Sequence, residues 1–428
     1  MKDRKAKTCL PVDAGNGTKA EEAIYAAILE QVAALYRLRS TRNCFEPGVS
    51  KVHYAGRVFD EREMQELVRA ALDFWLTLGP YGNRLEKQMK DFFQARDFAL
   101  VNSGSSANLV SVTTLASPTV ENHLRVGDEV ITPALTFPTT LAPIIQNGLI
   151  PVFIDCAIGT YNIMPDLLEQ AISKKTRAIM IPHTLGNPCD MDEVIRVVRK
   201  HDLFLIEDCC DAFGGTFRNK KVGTFGDLAT LSFYPAHHMT MGEGGGVVVN
   251  DNKLIKTVRS VRDWGRDCWC DPGVSNTCGK RFEWDLGGLP HGYDHKYSYS
   301  TIGYNLKPTD LQAAIGLVQF DKIEAFIEKR RRHFARYYDA LKRYEDFLVL
   351  PKADPRANPS WFAFPITVKP PVKRASLTKW LEDAQIETRF IFGGNILRQP
   401  AFQQIDCRIA GGLEQTDRIM HDSFFIGI

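Results

Sequence analysis

Between residues 98 and 249 the chain repeats one pattern: a short, nearly continuous apolar run, a polar stretch rich in turn residues, then an amphipathic segment of helical length. The runs fall at 98–101, 129–132, 151–154, 178–181, 203–206, 229–233 and 246–249. Runs that do not alternate with polar residues leave no face for solvent. They predict strands covered on both sides, in a mostly parallel sheet sandwiched by helices. Ahead of this region Ala23, Ile24, Ala27, Ile28, Val32 and Leu35 recur at helical spacing and predict an amphipathic helix lying on the main body. After it, 309–344 reads as one long helix, followed by a strand over 361–368, a helix near 376–383 and a strand over 387–392. The predicted organisation is an N-terminal helical extension (1–50), a large α/β domain (51–308), and a long helix with a small C-terminal α+β domain (309–428).

Composition narrows the function classes. The chain has 428 residues, 44% of them hydrophobic, and its 53 basic and 51 acidic residues leave +2, no field for gathering nucleic acid or an anionic membrane. The uncharged stretch 130–154 is long enough for a membrane span, but Pro133, Pro138, Pro143 and Pro151 break it into buried strands and loops. Residues 1–19 are polar and mixed in charge, without the apolar core of a signal peptide. Ten cysteines in such a length are too dilute for a disulfide scaffold, so the expected location is a reducing cytoplasm, where clustered thiols mean metal or catalysis.

In an open α/β sheet, ligands sit beyond the carboxyl ends of the strands. The first such loop, Asn102-Ser103-Gly104-Ser105-Ser106-Ala107-Asn108, puts a glycine and hydroxyls at the start of a helix, a phosphate-binding arrangement that an ordinary helix cap also satisfies. The loop after the fifth strand begins Glu207-Asp208-Cys209-Cys210-Asp211; a carboxylate there can hold a protonated pyridine nitrogen, or simply cap. The third segment runs Ser232-Phe233-Tyr234-Pro235-Ala236-His237-His238-Met239-Thr240-Met241-Gly242-Glu243-Gly244-Gly245-Gly246. With Gly303-Tyr304-Asn305-Leu306-Lys307 and the two loops above, it resembles the DegT/DnrJ/EryC1 family of vitamin B6-dependent nucleotide-sugar enzymes, in order from about Tyr54 to Ile428. The resemblance implies a type I aminotransferase fold. It implies that Ser105, Ser106 and Ser232 hold the cofactor phosphate, Phe137 stacks on the pyridine ring, Asp208 pairs with its nitrogen, and Asn305 reaches the neighbouring subunit's cofactor in a homodimer.

The sequence departs from that family at one decisive place. His237 stands where the aminotransferases have the lysine of the internal Schiff base, and imidazole cannot form that bond. The expectation is a cofactor held without a covalent link, as pyridoxamine 5′-phosphate, with His237 as general base because imidazole titrates near neutral pH. Asp211 and Tyr234 also differ from the family pattern, and either orient His237, protonate a leaving hydroxyl, or merely drift. Cys268, Cys270 and Cys278 cluster on one loop, and taken with Cys210 they resemble the C-x57-C-x-C-x7-C pattern of the iron–sulfur 3-dehydrases that make 3,6-dideoxyhexoses. That implies a [2Fe-2S] cluster held by Cys210, Cys268, Cys270 and Cys278. It also implies CDP-4-keto-6-deoxyglucose as substrate, C-3 deoxygenation, and an NADH-dependent flavin and iron–sulfur reductase as electron donor. Two alternatives remain: a cluster-independent pyridoxamine phosphate dehydrase of the GDP-colitose type, and a non-catalytic sensor on the same fold.

Overall fold

The computed structural model describes residues 18–41, 45–270 and 272–428, so the first part of the 1–50 extension lies outside the described residues. Five strands, β1 (Asp97–Val101), β2 (Glu129–Pro133), β3 (Ile150–Ile154), β4 (Thr176–Pro182) and β5 (Phe204–Asp208), are followed by Leu228–Ser232 and Gly245–Val249. All seven lie within two residues of the apolar runs. They join in the order β1, Gly245–Val249, Leu228–Ser232, β5, β4, β2, β3, with Arg408–Ile409 from the C-terminal region at the edge. Pairing is parallel from Leu228–Ser232 to Arg408–Ile409, whereas Gly245–Val249 runs antiparallel to both of its neighbours.

Every residue of β2 and of Gly245–Val249 is buried, which is why these runs do not alternate. Successive side chains serve opposite cores. Ala99 and Val101 pack with the helices Gly104–Ala116, Pro138–Gln146 and Ile255–Arg262, while Phe98 and Leu100 pack with Pro80–Phe93 and Asp310–Asp321. Met191–His201 covers the same sheet farther along, over Ile131, Val152 and Ile179. Leu85 and Met89 are wholly buried in this packing, so truncating either to alanine costs about 2–5 kcal/mol.

Three expectations are corrected. The stretch 309–344 is two helices, Asp310–Asp321 and Ile323–Leu341, because the first half buries Ala313, Ala314 and Leu317 in the large core while the second carries Phe334 and Tyr337 to the small domain. Between them Lys322 turns its ammonium onto buried Glu63, at 2.5 and 2.7 Å. The strand expected over 387–392 shrinks to Thr388–Arg389, in an antiparallel sheet with Ser423–Ile426, Phe364–Val368 and Leu348–Val349; Phe392, at φ 48°, is left-handed and leaves the extended run. The N-terminal helix, Lys19–Ser40, is present but rotated. Leu29 and Ala33 are buried, Ile24 and Leu35 point outward, and Tyr25 Oη donates to the Arg69 carbonyl at 3.0 Å. Among the described residues no helix is long and apolar enough to cross a membrane.

Candidate active site

The carboxyl ends of β1, β5 and Leu228–Ser232 meet the start of Gly245–Val249 at one edge of the sheet, around a cavity of about 430 Å³. One wall is the start of the helix Gly104–Ala116. Ser103 caps it, its Oγ accepting from the Ser106 N–H at 3.0 Å, and the N–H groups of Gly104 and Ser105 have no intrahelical acceptor. Glycine is required at 104 by close approach: a Cβ would stand 2.5 Å from Ser232 Cβ and 2.9 Å from Cys210 Sγ. Two backbone donors, the helix dipole and the hydroxyls of Ser105 and Ser232 fit a phosphate. Ser106 is turned away from this cradle, its hydroxyl donating to Asn102 Oδ1 at 2.6 Å, and Ser103 takes its place in the wall.

Asp208, the buried last residue of β5, fits the pyridine end. Its Oδ2 accepts from Thr140 Oγ1 at 2.7 Å and Asn108 Nδ2 at 2.9 Å, and its Oδ1 from the Cys210 N–H at 3.1 Å. Thr230 Oγ1 donates to Asn108 Oδ1 at 2.7 Å, which fixes the direction of that amide. Neither Asn108 nor Thr140 was singled out from the sequence; Asn108 lies in the Ser-rich loop, but its partner is 100 residues away. Phe137, half-exposed, lines the cavity and meets Phe392 edge to face at 6.2 Å.

His237, Asp211 and Tyr234 come together beside this pocket. His237 Nε2 lies 3.4 Å from Asp211 Oδ1, and the Tyr234 ring stands 6.3 Å from the imidazole. Asp211 Oδ2 and His237 Nδ1 are enclosed without hydrogen-bond partners, polar atoms left free beside the cavity. The neighbouring His238 has a different task. It is buried, its Nε2 donates to the Ser360 carbonyl at 2.8 Å, and burial together with the Arg330 charge holds it well below the usual imidazole range. Arg330, from the helix Ile323–Leu341, carries no sequence signal, yet its guanidinium donates to the carbonyls of Phe362 at 3.0 Å and His237 at 3.4 Å. Burial lowers it to about 10, opposed by the charge of Asp211. Among the described residues no lysine lines the cavity, and Arg389 is its only guanidinium.

The four cysteines of the spacing pattern do not converge. Cys210 lines the cavity just described, where burial and then the charge of Asp208 push its thiol well up. Cys268 and Cys270 line a second cavity of about 680 Å³ at the end of the helix Ile255–Arg262, with Lys256, Lys296 and Lys307. Cys270 Sγ accepts from the Thr277 N–H at 3.4 Å, and Cys278 contacts Asn276 Oδ1 at 4.0 Å. The set therefore does not fit one cluster within a single chain. Among the described residues the one His/Cys/Asp/Glu group close enough to share an ion is His183, Glu207 and Cys209. There Glu207 is already taken by His183 and by the N–H groups of Gly223, Phe225 and Gly226. Asn305 stands outside the first cavity; it accepts from Lys307 Nζ at 3.0 Å and bridges to Asp263.

Residues 58–428 match the model of the DegT/DnrJ/EryC1/StrS aminotransferase family. The chain belongs to this family. It is an enzyme with the type I aminotransferase fold. Among relatives of known sequence it is 52% identical over 387 residues, 90% of this chain and 89% of the other, to the lipopolysaccharide biosynthesis protein RfbH of Salmonella typhimurium. It is 50% identical over 90% of this chain and 84% of the other to the dTDP-4-dehydro-2,6-dideoxy-D-glucose 3-dehydratase of Saccharopolyspora spinosa. A solved structure of the E. coli GDP-4-keto-6-deoxy-D-mannose 3-dehydratase with bound hydrated PLP superposes with a TM-score of 0.77 at 29% identity, covering 88% of this chain and 95% of that one.

Proposed function

We propose that this enzyme removes the C-3 hydroxyl of a nucleotide-linked 4-keto-6-deoxy sugar, with pyridoxamine 5′-phosphate held non-covalently. One observation carries the reading: His237, which the resemblance puts in the place of the Schiff-base lysine, lines the cavity, and among the described residues no lysine does. When bound, the cofactor supplies an amine for the 4-keto carbon and an electron sink for expulsion of the neighbouring hydroxyl. The chain supplies the rest. Gly104, Ser105 and Ser232 bind the phosphate, Phe137 covers the ring, and Asp208, fixed by Thr140 and Asn108, accepts the pyridine N–H. His237 takes the proton from the C4′ carbon, Asp211 stabilises the imidazolium that results, and Tyr234 is placed to pass a proton to the departing hydroxyl. The names of the relatives that are 3-dehydratases support this choice over transamination.

The finer assignments rest on the sequence resemblance. We infer a homodimer in a reducing cytoplasm, CDP-4-keto-6-deoxyglucose as substrate, and a [2Fe-2S] cluster on Cys210, Cys268, Cys270 and Cys278 fed by an NADH-dependent flavin and iron–sulfur reductase. No step above depends on the cluster or the reductase. The separation of Cys210 from the other thiols favours a second reading, dehydration without a cluster, as in the GDP-colitose type. The test is incubation with pyridoxamine phosphate and CDP-, dTDP- and GDP-linked 4-keto-6-deoxy sugars, followed by mass spectrometry of the cofactor-linked sugar for loss of one water beyond that released on condensation. The expected result is dehydration of the CDP sugar by the wild type and none by His237→Asn, which still retains the cofactor. Undiminished dehydration in that variant, or a wild type that retains no B6 cofactor, overturns the reading.

A further inference from the structure

Cys210 faces one cavity and Cys268 and Cys270 another, with Cys278 on the same loop as the latter two, and this separation has a specific resolution. Cys210 Sγ lies close to Gly104, as does Ser232, at the phosphate end of the first cavity. Cys268 and Cys270 belong to an excursion from Trp264 to Ile302, closed at its base by the bridges Asp263 to Asn305 and Arg266 to Tyr299. This excursion is not a slack loop that waits to swing inward. Trp284 stacks on His295 at 4.8 Å with Trp269 against both, the Asp267 carboxylate accepts the hydroxyls of Ser298 and Ser300 at 2.6 Å each, and Arg281 pairs with Asp294. These contacts hold Cys268 and Cys270 at the second cavity, apart from Cys210 of the same chain.

The surfaces around the two thiol sites are complementary in charge. The first cavity carries three carboxylates, Asp208, Asp211 and Glu243, against one fixed cation, Arg389, in its lining. The second cavity carries six cations, Lys256, Arg259, Arg262, Arg266, Lys296 and Lys307, against two carboxylates, Asp263 and Asp267, and Arg266 Nε is enclosed without a partner. On the same excursion Trp269, Phe282, Tyr297 and Ile302 leave much of their apolar surface in solvent, Ile302 with 85% of its surface exposed. A second copy of this chain, docking its net acidic cavity on the net basic excursion, would cover that apolar surface and bring opposite charges together.

We propose that the thiol set is completed across two subunits: Cys210 of one chain with Cys268, Cys270 and Cys278 of the other, two identical sites per dimer. The proposal rests on the cluster reading above, and its test separates the two. Two variants, Cys210→Ser and the double change Cys268→Ser/Cys270→Ser, are made with different affinity tags, co-expressed, and the mixed dimer is isolated and reconstituted anaerobically with ferrous iron and sulfide. Each variant alone should lack the cluster. In the mixed dimer one site loses all the changed ligands and the other keeps its full set, so half of the wild-type iron and visible absorbance should return. Ligation within one chain would leave the mixed dimer as empty as its parents, and that result, or a wild type that is monomeric in solution, overturns the proposal while the cluster reading stands. A dimeric wild type that takes up no iron refutes the cluster reading and this proposal together. Retained pyridoxamine phosphate absorbance in both variants and in the mixed dimer shows that they are folded.

Discussion

Asp211→Asn isolates the charge that faces the base. Two unit charges 3.4 Å apart attract by roughly 5 kcal/mol at an effective dielectric of 20. The site is nearly closed, with the two side chains 17% and 11% exposed, so water screens only part of this interaction. An amide keeps the shape and a dipole but not the charge, so about 2–3 kcal/mol of stabilisation for the imidazolium should go, roughly a 30- to 150-fold fall in the proton-transfer step. Because Oδ2 of Asp211 has no partner, the substitution breaks no hydrogen bond there, and fold and cofactor affinity should hold. The assay is rapid-quench single turnover of the dehydration, with pyridoxamine phosphate affinity measured in parallel by absorbance titration. Turnover at the wild-type rate would refute the coupling of Asp211 to His237. A fall in cofactor affinity as large as the fall in rate would make Asp211 a structural residue.

Gly104→Ala places a methyl 2.5 Å from Ser232 Cβ and 2.9 Å from Cys210 Sγ, so it should cost about 1–3 kcal/mol in denaturant unfolding and weaken phosphate binding more than tenfold; free pyridoxamine, lacking the phosphate, should be affected less. Glu387, which accepts from Lys51 and the Tyr54 N–H, is brought from its ordinary 4.5 to about 2. A carboxyl depressed in the folded state stabilises above its ordinary value and loses that contribution as pH falls through the depressed one. The stability gap between wild type and Glu387→Gln should therefore be full above pH 4.5 and close between 4.5 and 2, as followed by urea unfolding at a series of pH values; a gap constant through that window would refute the assignment.

Strand positions were readable because burial on both faces removes polar residues from a strand, and that signature is local. Direction is not local. The run at 246–249 is as apolar as the parallel runs, and nothing in its composition tells that it is reversed. Likewise 309–344 is helical throughout in spacing, and its division at Lys322 follows from having two cores to serve. At the site, residue types with unusual chemistry stood out: His237 in place of lysine, Asp208 at a strand end, and Cys210 beside it. The residues that hold them did not. Asn108 and Thr140 hold Asp208, and Arg330 holds the His237 carbonyl, from 68 to 100 positions away, across separations only the folded chain closes. The cysteine spacing was legible as a pattern, but spacing carries no information about which cavity, or which copy of the chain, each thiol faces.

The reversed strand has a consequence for how the base can be moved. Because Gly245–Val249 returns antiparallel beside Leu228–Ser232, the connection 233–244 begins and ends at the same edge of the sheet and never crosses to the other side. His237 is thus carried on a closed hairpin, with Phe233 N–H bonded to the Gly244 carbonyl and Met241 N–H to the Phe233 carbonyl. A crossover elsewhere in the sheet can gain or lose residues at its far end and leave the near edge unaltered. Here every residue added or removed between 233 and 244 changes where the imidazole points. For anyone grafting a new reaction onto this scaffold, the length of that hairpin is fixed while the crossovers are open to insertion, so specificity is better redesigned from the opposite wall, Arg389 to Phe392, than from the segment that holds the base.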